Sequence, residues 1–132
     1  MSTVIRSEIS KRNKYWISKH RYYELKHFCL QYQEWKSMMR DSYWVSGHSG
    51  GDPQWSDRVF GTVNRRENCS RYISMVEKAA QDASDEIGEY ILKAVTEDLS
   101  YVNLRMIHEI PCGKDMYYDR YRKFFWLLAK AR

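Results

Sequence analysis

The residues with the most chemical potential lie in the stretch "IPCGKDMYYDRYRKFFWLLAKAR", which runs from Ile110 to Arg132. A helix is predicted here from about Lys114 to Ala129, because apolar and aromatic residues recur on one side of a helical wheel and charged residues on the other. On the charged side, Arg122 can donate two hydrogen bonds to a guanine, and an aspartate can accept one from cytosine N4. The pattern therefore suggests contact with DNA through six residues of this helix: Lys114, Asp115, Tyr118, Asp119, Arg122 and Lys123.

Two of these residues, Asp115 and Asp119, can be read either for or against DNA contact. A carboxylate close to a DNA backbone lowers the electrostatic affinity. The pair therefore indicates either sequence-selective reading or no DNA contact at all, and each of the six residues can equally be a solvated surface residue. The opposite side of the helix is predicted to be core, with Tyr117, Tyr121, Phe124, Phe125, Leu127 and Leu128 on it.

A short helix and a tight turn precede this last helix. Ser100 is a suitable N-cap for the segment "YVNLRMIHEI". Pro111 is expected to end that helix, because the residue before a proline leaves the helical region. A short helix, a turn and a longer helix in this order are typical of a helix-turn-helix, here at about residues 100–130. The predicted apolar positions of the short helix are Val102, Leu104, Met106, Ile107 and Ile110.

The charge of the chain is unevenly distributed. The net charge is +6 over residues 1–40, 0 over 41–76, −5 over 77–98 and +4 over 99–132. Basic ends therefore flank an acidic middle. The basic segments can attract phosphate backbones, or they can pair with the acidic segment inside the fold.

Residues 1–44 are interpreted as a basic N-terminal helical arm. From Ser10 to Arg40 there is no proline or glycine, and apolar residues from Leu25 onward follow steps of three and four, as on one stripe of a helix. A stripe this narrow resembles a coiled-coil seam. We expect it to be covered either by a second copy of the chain, giving a homodimer through the N-terminal helix, or by a second helix of the same chain.

Residues 45–61 are predicted to form a loop, because they contain four of the six glycines and one of the two prolines. A helical domain is predicted over residues 62–132, with Thr62 as a helix N-cap. Within this domain Ser84 or Asp85 can cap an acidic helix. The predicted buried side of that helix consists of Ile87, Tyr90, Ile91, Ala94, Val95 and Leu99.

Catalytic and metal-binding motifs are absent from the sequence. There is no nucleophile elbow, no Gly-rich phosphate loop and no zinc spacing, and the histidines are isolated. We therefore expect no enzyme activity, no cofactor and no metal. The three cysteines are far apart and are expected to be reduced thiols. No apolar run is long enough for a membrane span or a signal peptide, so we expect no membrane contact and a cytoplasmic location.

With these residues in view, the C-terminal stretch resembles the end of the ArpU/RinA family of phage-encoded transcriptional regulators. The likeness covers about the last quarter of the chain, and the matching residues are Ile110, Pro111, Tyr117, Tyr118, Arg120, Arg122, Leu128 and Ala129. The chain also departs from the family. Gly113 stands where the turn usually offers Ser or Thr, Asp115 and Met116 replace a basic residue and Thr, and Asp119 replaces a basic or polar residue.

The resemblance implies an all-α fold, with a long N-terminal helix and a C-terminal helix-turn-helix bundle like that of sigma-factor region 4. It implies a sequence-specific transcription activator of late or packaging genes in a phage or prophage. Such a protein would bind double-stranded DNA in the cytoplasm of a bacterial host and act with the host RNA polymerase. From its charge alone, the acidic helix is a candidate contact for a basic polymerase surface. Two alternatives remain open: a packaging component such as a small terminase subunit, and a protein-binding inhibitor that kept the helix-turn-helix fold.

Overall fold

The computed structural model describes the backbone of residues 12–45 and 53–132, and the side chains of residues 12–40 and 64–132. This part of the chain is helical and contains no strand, which confirms the predicted all-α class. The helices are α1 (Lys19–Leu30), α2 (Tyr32–Val45), α3 (Pro53–Ala83), α4 (Gly88–Glu97), α5 (Tyr101–Ile107) and α6 (Lys114–Ala131).

The loop predicted at residues 45–61 is wrong from Pro53 onward. Residues 46–52 lie outside the described part of the chain, and α3 already begins at Pro53. A proline suits the first position of a helix, because that position has no helical partner for its backbone N–H. Thr62 therefore lies inside α3 and is not an N-cap, which corrects the prediction.

The described residues up to Leu30 and from Met75 onward form one compact unit. In it α1 packs against α4 and α6, and α4 packs against α5 and α6. Aromatic side chains from opposite ends of the chain meet in its core, where the rings of Tyr22 and Phe125 lie 4.9 Å apart. The buried apolar residues of this unit are Tyr22, Leu25, Phe28, Cys29, Val76, Ala79, Ala80, Ala83, Ile87, Ile91, Ala94, Val95, Leu104, Ile110, Tyr117, Phe124, Phe125 and Leu128.

The residues from Gln31 to Ser74 form a second compact unit. In this unit the ring of Trp35 on α2 lies 5.4 Å from the ring of Tyr72 on α3. The sulfur atoms of Cys69 and Met38 approach to 3.8 Å. A second helix of the same chain thus covers α2, which is one of the two arrangements expected from the apolar stripe.

The N-terminal helix is shorter than the predicted span of Ser10 to Arg40. It begins at Lys19 and is interrupted at Gln31, after which the chain continues as α2. Three of its apolar residues, Tyr22, Leu25 and Phe28, are buried, and the helices packed on α1 belong to the same chain. Because α4 and α6 pack on α1, its part of the stripe does not require a second chain to cover it.

Helices α3 and α4 approach closely at Gly88, the first residue of α4. A Cβ atom at this position would lie 2.8 Å from the carbonyl oxygen of Ala80. In the turn before Gly88, the hydroxyl of Ser84 accepts a hydrogen bond from the backbone N–H of Ile87 at 3.1 Å. Ser84 therefore caps this turn, whereas Ile87 is the N-cap residue of α4 itself and its side chain makes no capping bond.

The short helix α5 begins as predicted and ends earlier. The hydroxyl of Ser100 accepts a hydrogen bond from the backbone N–H of Asn103 at 3.2 Å, which confirms Ser100 as the N-cap. The helix ends at Ile107, because Glu109 has a left-handed backbone with a φ of 53°. The helix therefore ends four residues before Pro111, and Pro111 is not the residue that ends it.

The five apolar residues predicted for the short helix are divided between core and surface, and one of them, Ile110, lies after the end of α5. Leu104 and Ile110 are buried, whereas Val102, Met106 and Ile107 are 66%, 77% and 66% exposed. Only two of the five predicted apolar positions therefore contribute to the core. A helix of seven residues makes only two turns, so anchoring it through Leu104 leaves its other sides in solvent.

Candidate nucleic-acid interface

The orientation of α6 is fixed by its aromatic side. Tyr117, Phe124, Phe125 and Leu128 are buried, and the rings of Phe124 and Phe125 meet edge to face at 4.9 Å. Burial of this size strongly stabilises the packing of one helix side. The side opposite Tyr117 is exposed at Asp115, as the helical wheel predicted, and half-buried at Arg122 and Trp126.

A tyrosine hydrogen bond links α6 to α1. The hydroxyls of Tyr121 and Tyr22 lie 2.8 Å apart and share a hydrogen bond. Desolvation by burial raises the pKa of Tyr121 well above its usual value, and the neighbouring Tyr22 adds to this. Tyr121 therefore stays protonated, and this contact holds α6 at a fixed rotation about its axis.

A second tyrosine ties the turn before α6 to α5. The hydroxyl of Tyr101 donates a hydrogen bond to the carbonyl oxygen of Cys112 at 2.8 Å. The Tyr101 ring also lies 5.3 Å from that of Tyr117 and 6.3 Å from that of Tyr118. The start of α6 is thus held in place, although its N-cap residue, Gly113, has no side chain to bond the first turn.

The six residues predicted to contact DNA all lie on α6, in environments that differ. Lys114 and Asp115 in the first turn are exposed, and the other four are half-buried. The ring of Tyr118 packs on those of Tyr117 and Tyr121, at 5.0 and 6.2 Å between centroids. Tyr118 is therefore partly committed to contacts within the protein.

The second aspartate of the predicted site has a partner on its own helix. The carboxylate of Asp119 forms an ion pair with the guanidinium of Arg120. This neighbour offsets much of the negative charge that Asp119 would bring to a DNA backbone. Asp115 is then the carboxylate of the site that most directly faces solvent in the first turn.

Arg122 has a side chain whose inner part is packed in the protein. Its Nε atom is buried and makes no hydrogen bond within the described part of the chain. If this burial restricts the side chain, the guanidinium would be held in a limited set of positions. A guanidinium held in this way loses less entropy when it binds a planar acceptor pair such as guanine.

Lys123 lies on a different side of α6 from Arg122. It lines a cleft of about 420 Å³ together with Arg120, Met116 and the segment from Gln81 to Glu86. Asp82, Asp85 and Glu86 in that segment also line the cleft, so acidic and basic side chains face the same space. The contribution of Lys123 to an outer DNA-binding surface is therefore opposed by carboxylates of the same molecule.

The structure brings together four residues that the sequence interpretation did not select. The rings of Tyr15 and Trp126 lie 5.4 Å apart. The ammonium of Lys130 lies 3.4 Å from the centre of the Trp126 ring, and that of Lys14 lies 5.0 Å from the centre of the Tyr15 ring. We call these residues the basic-aromatic cluster. A large aromatic residue on the polar side of the predicted helix, Trp126, was the signal that could have pointed to it.

Metal and membrane features are not found in the described residues. No group of three or more His, Cys, Asp or Glu side chains there is placed to hold a metal ion. In residues 12–45 and 53–132, no helix combines the length and the apolar character needed to cross a bilayer.

Comparison of the chain with protein-family models, with curated proteins and with solved structures finds no match. The features of the molecule that bear on its function are α5, the turn, α6 and the charges around them.

Proposed function

We propose that the protein is a sequence-specific DNA-binding transcription regulator, an activator of late or packaging genes in a phage or prophage. The observation that carries the proposal is the pair α5 and α6. A capped seven-residue helix and a tight turn precede an 18-residue helix whose aromatic side is buried. The opposite side carries Asp115 and Arg122, and Lys114 lies at its border. These side chains are able to read base edges from a major groove.

The charges of this surface favour selective reading over strong non-specific binding. Arg122 supplies a bidentate donor, and Asp115 supplies an acceptor that only cytosine or adenine amino groups satisfy. The Asp119–Arg120 ion pair lowers the electrostatic cost of having two carboxylates close to DNA. The likeness of this stretch to the end of the ArpU/RinA regulators points in the same direction.

The host RNA polymerase is the proposed protein partner. Asp85, Glu86, Glu89, Glu97 and Asp98, at the start and end of the α4 region, are all exposed. A basic polymerase surface would complement these carboxylates, of which Glu97 and Asp98 also form ion pairs with Lys93 and Lys26. If reversing these charges leaves both DNA binding and activation unchanged, this part of the proposal is wrong.

The test of DNA recognition is a titration of the purified protein into labelled duplexes tiled across its genomic neighbourhood, at two salt concentrations. One duplex bound far more tightly than the others, with affinity falling steeply as salt rises, is the expected result. Equal, weak binding to every duplex favours a packaging component such as a small terminase subunit. Absence of binding at low salt excludes both.

A protein-binding inhibitor that kept the helix-turn-helix fold is the second candidate, and one observation favours it. Val102, Met106 and Ile107 leave an apolar surface on α5, and such surfaces are typical of protein contacts. A pull-down with a host lysate, using wild type and Met106→Glu, tests this candidate. A partner lost in the variant, together with absence of DNA binding by the wild type, would establish it over the regulator.

A further inference from the structure

We propose that the N-terminal segment around Lys14 and Tyr15 forms, with Trp126 and Lys130, a second DNA contact that grips the phosphate backbone beside the base-reading part of α6. This inference rests on the proposed function and adds to it. It assigns a binding role to the basic-aromatic cluster, which lies outside the six residues selected from the sequence.

The cluster joins two segments of one charge sign. Residues 12–23 contain four Lys or Arg residues and residues 120–132 contain five, and neither segment contains Asp or Glu. The carboxylates that adjoin them, Glu24 and Asp119, each form an ion pair with an arginine, Arg21 and Arg120. The Tyr15–Trp126 ring contact therefore brings two basic stretches together with no carboxylate of their own. Phosphate groups are the ligands that such a surface attracts most.

The position of the cluster along α6 fits a backbone contact. Lys114 and Lys130 are 16 positions apart on the helix, which corresponds to about 24 Å at 1.5 Å per residue. The first turns of a recognition helix reach base edges, and the far end of a long recognition helix contacts the backbone, as in homeodomains. On the helical wheel, Trp126 and Lys130 lie on the same outward side as Asp115 and Arg122. One docking of α6 can therefore place base contacts at its start and phosphate contacts at its end.

The two rings act as positioning residues for the two lysines. Asn13 shapes the chain just before the cluster, because its side-chain oxygen accepts a hydrogen bond from the backbone N–H of Tyr15 at 2.8 Å. The backbone carbonyl of Asn13 accepts another from Trp16 at 3.0 Å. The lysines rest on the ring faces through cation–π contacts, and both residues are exposed. Their ammonium groups are thus presented at fixed places on the surface.

A purely structural role is the competing explanation, since a lysine near the end of a helix also stabilises that helix through the dipole. The test compares the double variant Lys14→Gln/Lys130→Gln with a matched control, Lys78→Gln/Lys93→Gln. Both remove two positive charges. The control lysines form ion pairs within the acidic part of the chain, with Asp82 at 3.4 Å and Glu97 at 3.1 Å.

Affinities are measured for the preferred duplex and for a random duplex over a series of salt concentrations, with thermal melting as the check of folding. The slope of log K against log salt should fall in magnitude by about 1.8 in the double variant, for two phosphates at about 0.9 each. Both duplexes should weaken by the same factor, because phosphates carry no sequence information. Tyr15→Ala should reproduce part of this loss, and Tyr15→Phe, which keeps the ring, should not.

Failure of the phosphate contact and failure of the proposed function give different results. A wild type that binds one duplex selectively, with a double variant whose slope equals that of the control, overturns the phosphate contact and leaves the proposed function standing. A lower melting temperature with an unchanged slope assigns the cluster a structural role. A wild type without any salt-dependent binding overturns the proposed function and this inference together.

Discussion

At the scale of single residues, the proposed function makes Arg122 the side chain on which sequence selectivity should depend most. Arg122→Lys keeps the positive charge and removes the planar pair of donors. We expect the preferred duplex to lose about 1–3 kcal/mol of binding free energy relative to a random duplex. The slope of affinity against salt should stay close to that of the wild type, because the charge remains.

The measurement is the ratio of the two dissociation constants, determined for wild type, Arg122→Lys and the control Lys123→Gln. Lys123 lies in the cleft with the acidic segment, so its removal should leave the ratio unchanged. If Arg122→Lys has the same ratio of dissociation constants as wild type, the proposal that Arg122 binds a guanine is wrong.

The buried thiol of Cys29 makes the stability of the fold depend on alkaline pH. Burial raises its pKa from the usual 9.0 to about 12. The thiol is protonated in the folded protein at pH values where it ionises in the unfolded chain. Its contribution to stability is therefore complete below pH 9 and is lost as the pH rises from about 9 towards 12.

Urea unfolding at pH 8.0 and pH 9.8 tests this prediction. The free energy of unfolding should be lower at the higher pH, and Cys29→Ala should reduce the difference while lowering the stability at both values. Burial also raises the pKa values of Tyr117, Tyr121, Cys69 and Cys112, but these groups are present in both proteins, so the difference between wild type and Cys29→Ala isolates the contribution of Cys29. An equal pH dependence in wild type and Cys29→Ala would contradict the assignment.

At the scale of helices, the approach of α3 and α4 requires a glycine at position 88. The Cβ of Gly88→Ala would meet the Ala80 carbonyl at 2.8 Å, and a backbone atom cannot move aside cheaply. We expect a loss of about 1–3 kcal/mol of unfolding free energy. Gly113 is the matched glycine, because a Cβ there has no neighbour within 4 Å.

Gly113→Ser should stabilise the protein, in contrast to the change at position 88. The backbone of Gly113 already has the extended geometry of an N-cap, with φ −79° and ψ 172°. A serine hydroxyl can accept a hydrogen bond from the first turn of α6, so a gain of a few tenths of a kcal/mol is expected. Thermal melting should give a lower melting temperature than wild type for Gly88→Ala and a higher one for Gly113→Ser.

The short helix α5 distinguishes the structure from the expectation based on sequence alone. Leu104 is fully buried and Met106 is largely exposed. Leu104→Ala should therefore cost about 2–5 kcal/mol, and Met106→Lys should leave the unfolding free energy nearly unchanged. A large loss in Met106→Lys would mean that α5 packs with its other side inward.

The sequence was sufficient for features that depend on local chemistry. The cap at Ser100, the start of α6 at Lys114 and the aromatic side of α6 follow from residue type and spacing within a few turns. The break at Gln31 has no glycine or proline to mark it, and the exposure of Met106 follows from how α5 packs. Contacts between helices determine both the break at Gln31 and the exposure of Met106. The Tyr15–Trp126 contact joins residues 111 positions apart, so no local pattern could reveal it.

At the scale of the whole molecule, the acidic residues beside α6 should restrain its attraction to any DNA. Asp85 and Glu86 line the same cleft as Arg120 and Lys123, within the distance over which charges interact at physiological salt. Asp85→Asn/Glu86→Gln should therefore raise the affinity for preferred and random duplexes alike, and should steepen the salt dependence of both. The control Glu97→Gln/Asp98→Asn removes the same charge at the far end of α4, and should have the smaller effect. Equal effects of the two variants would mean that only the net charge matters, and that the acidic cleft has no particular influence on α6.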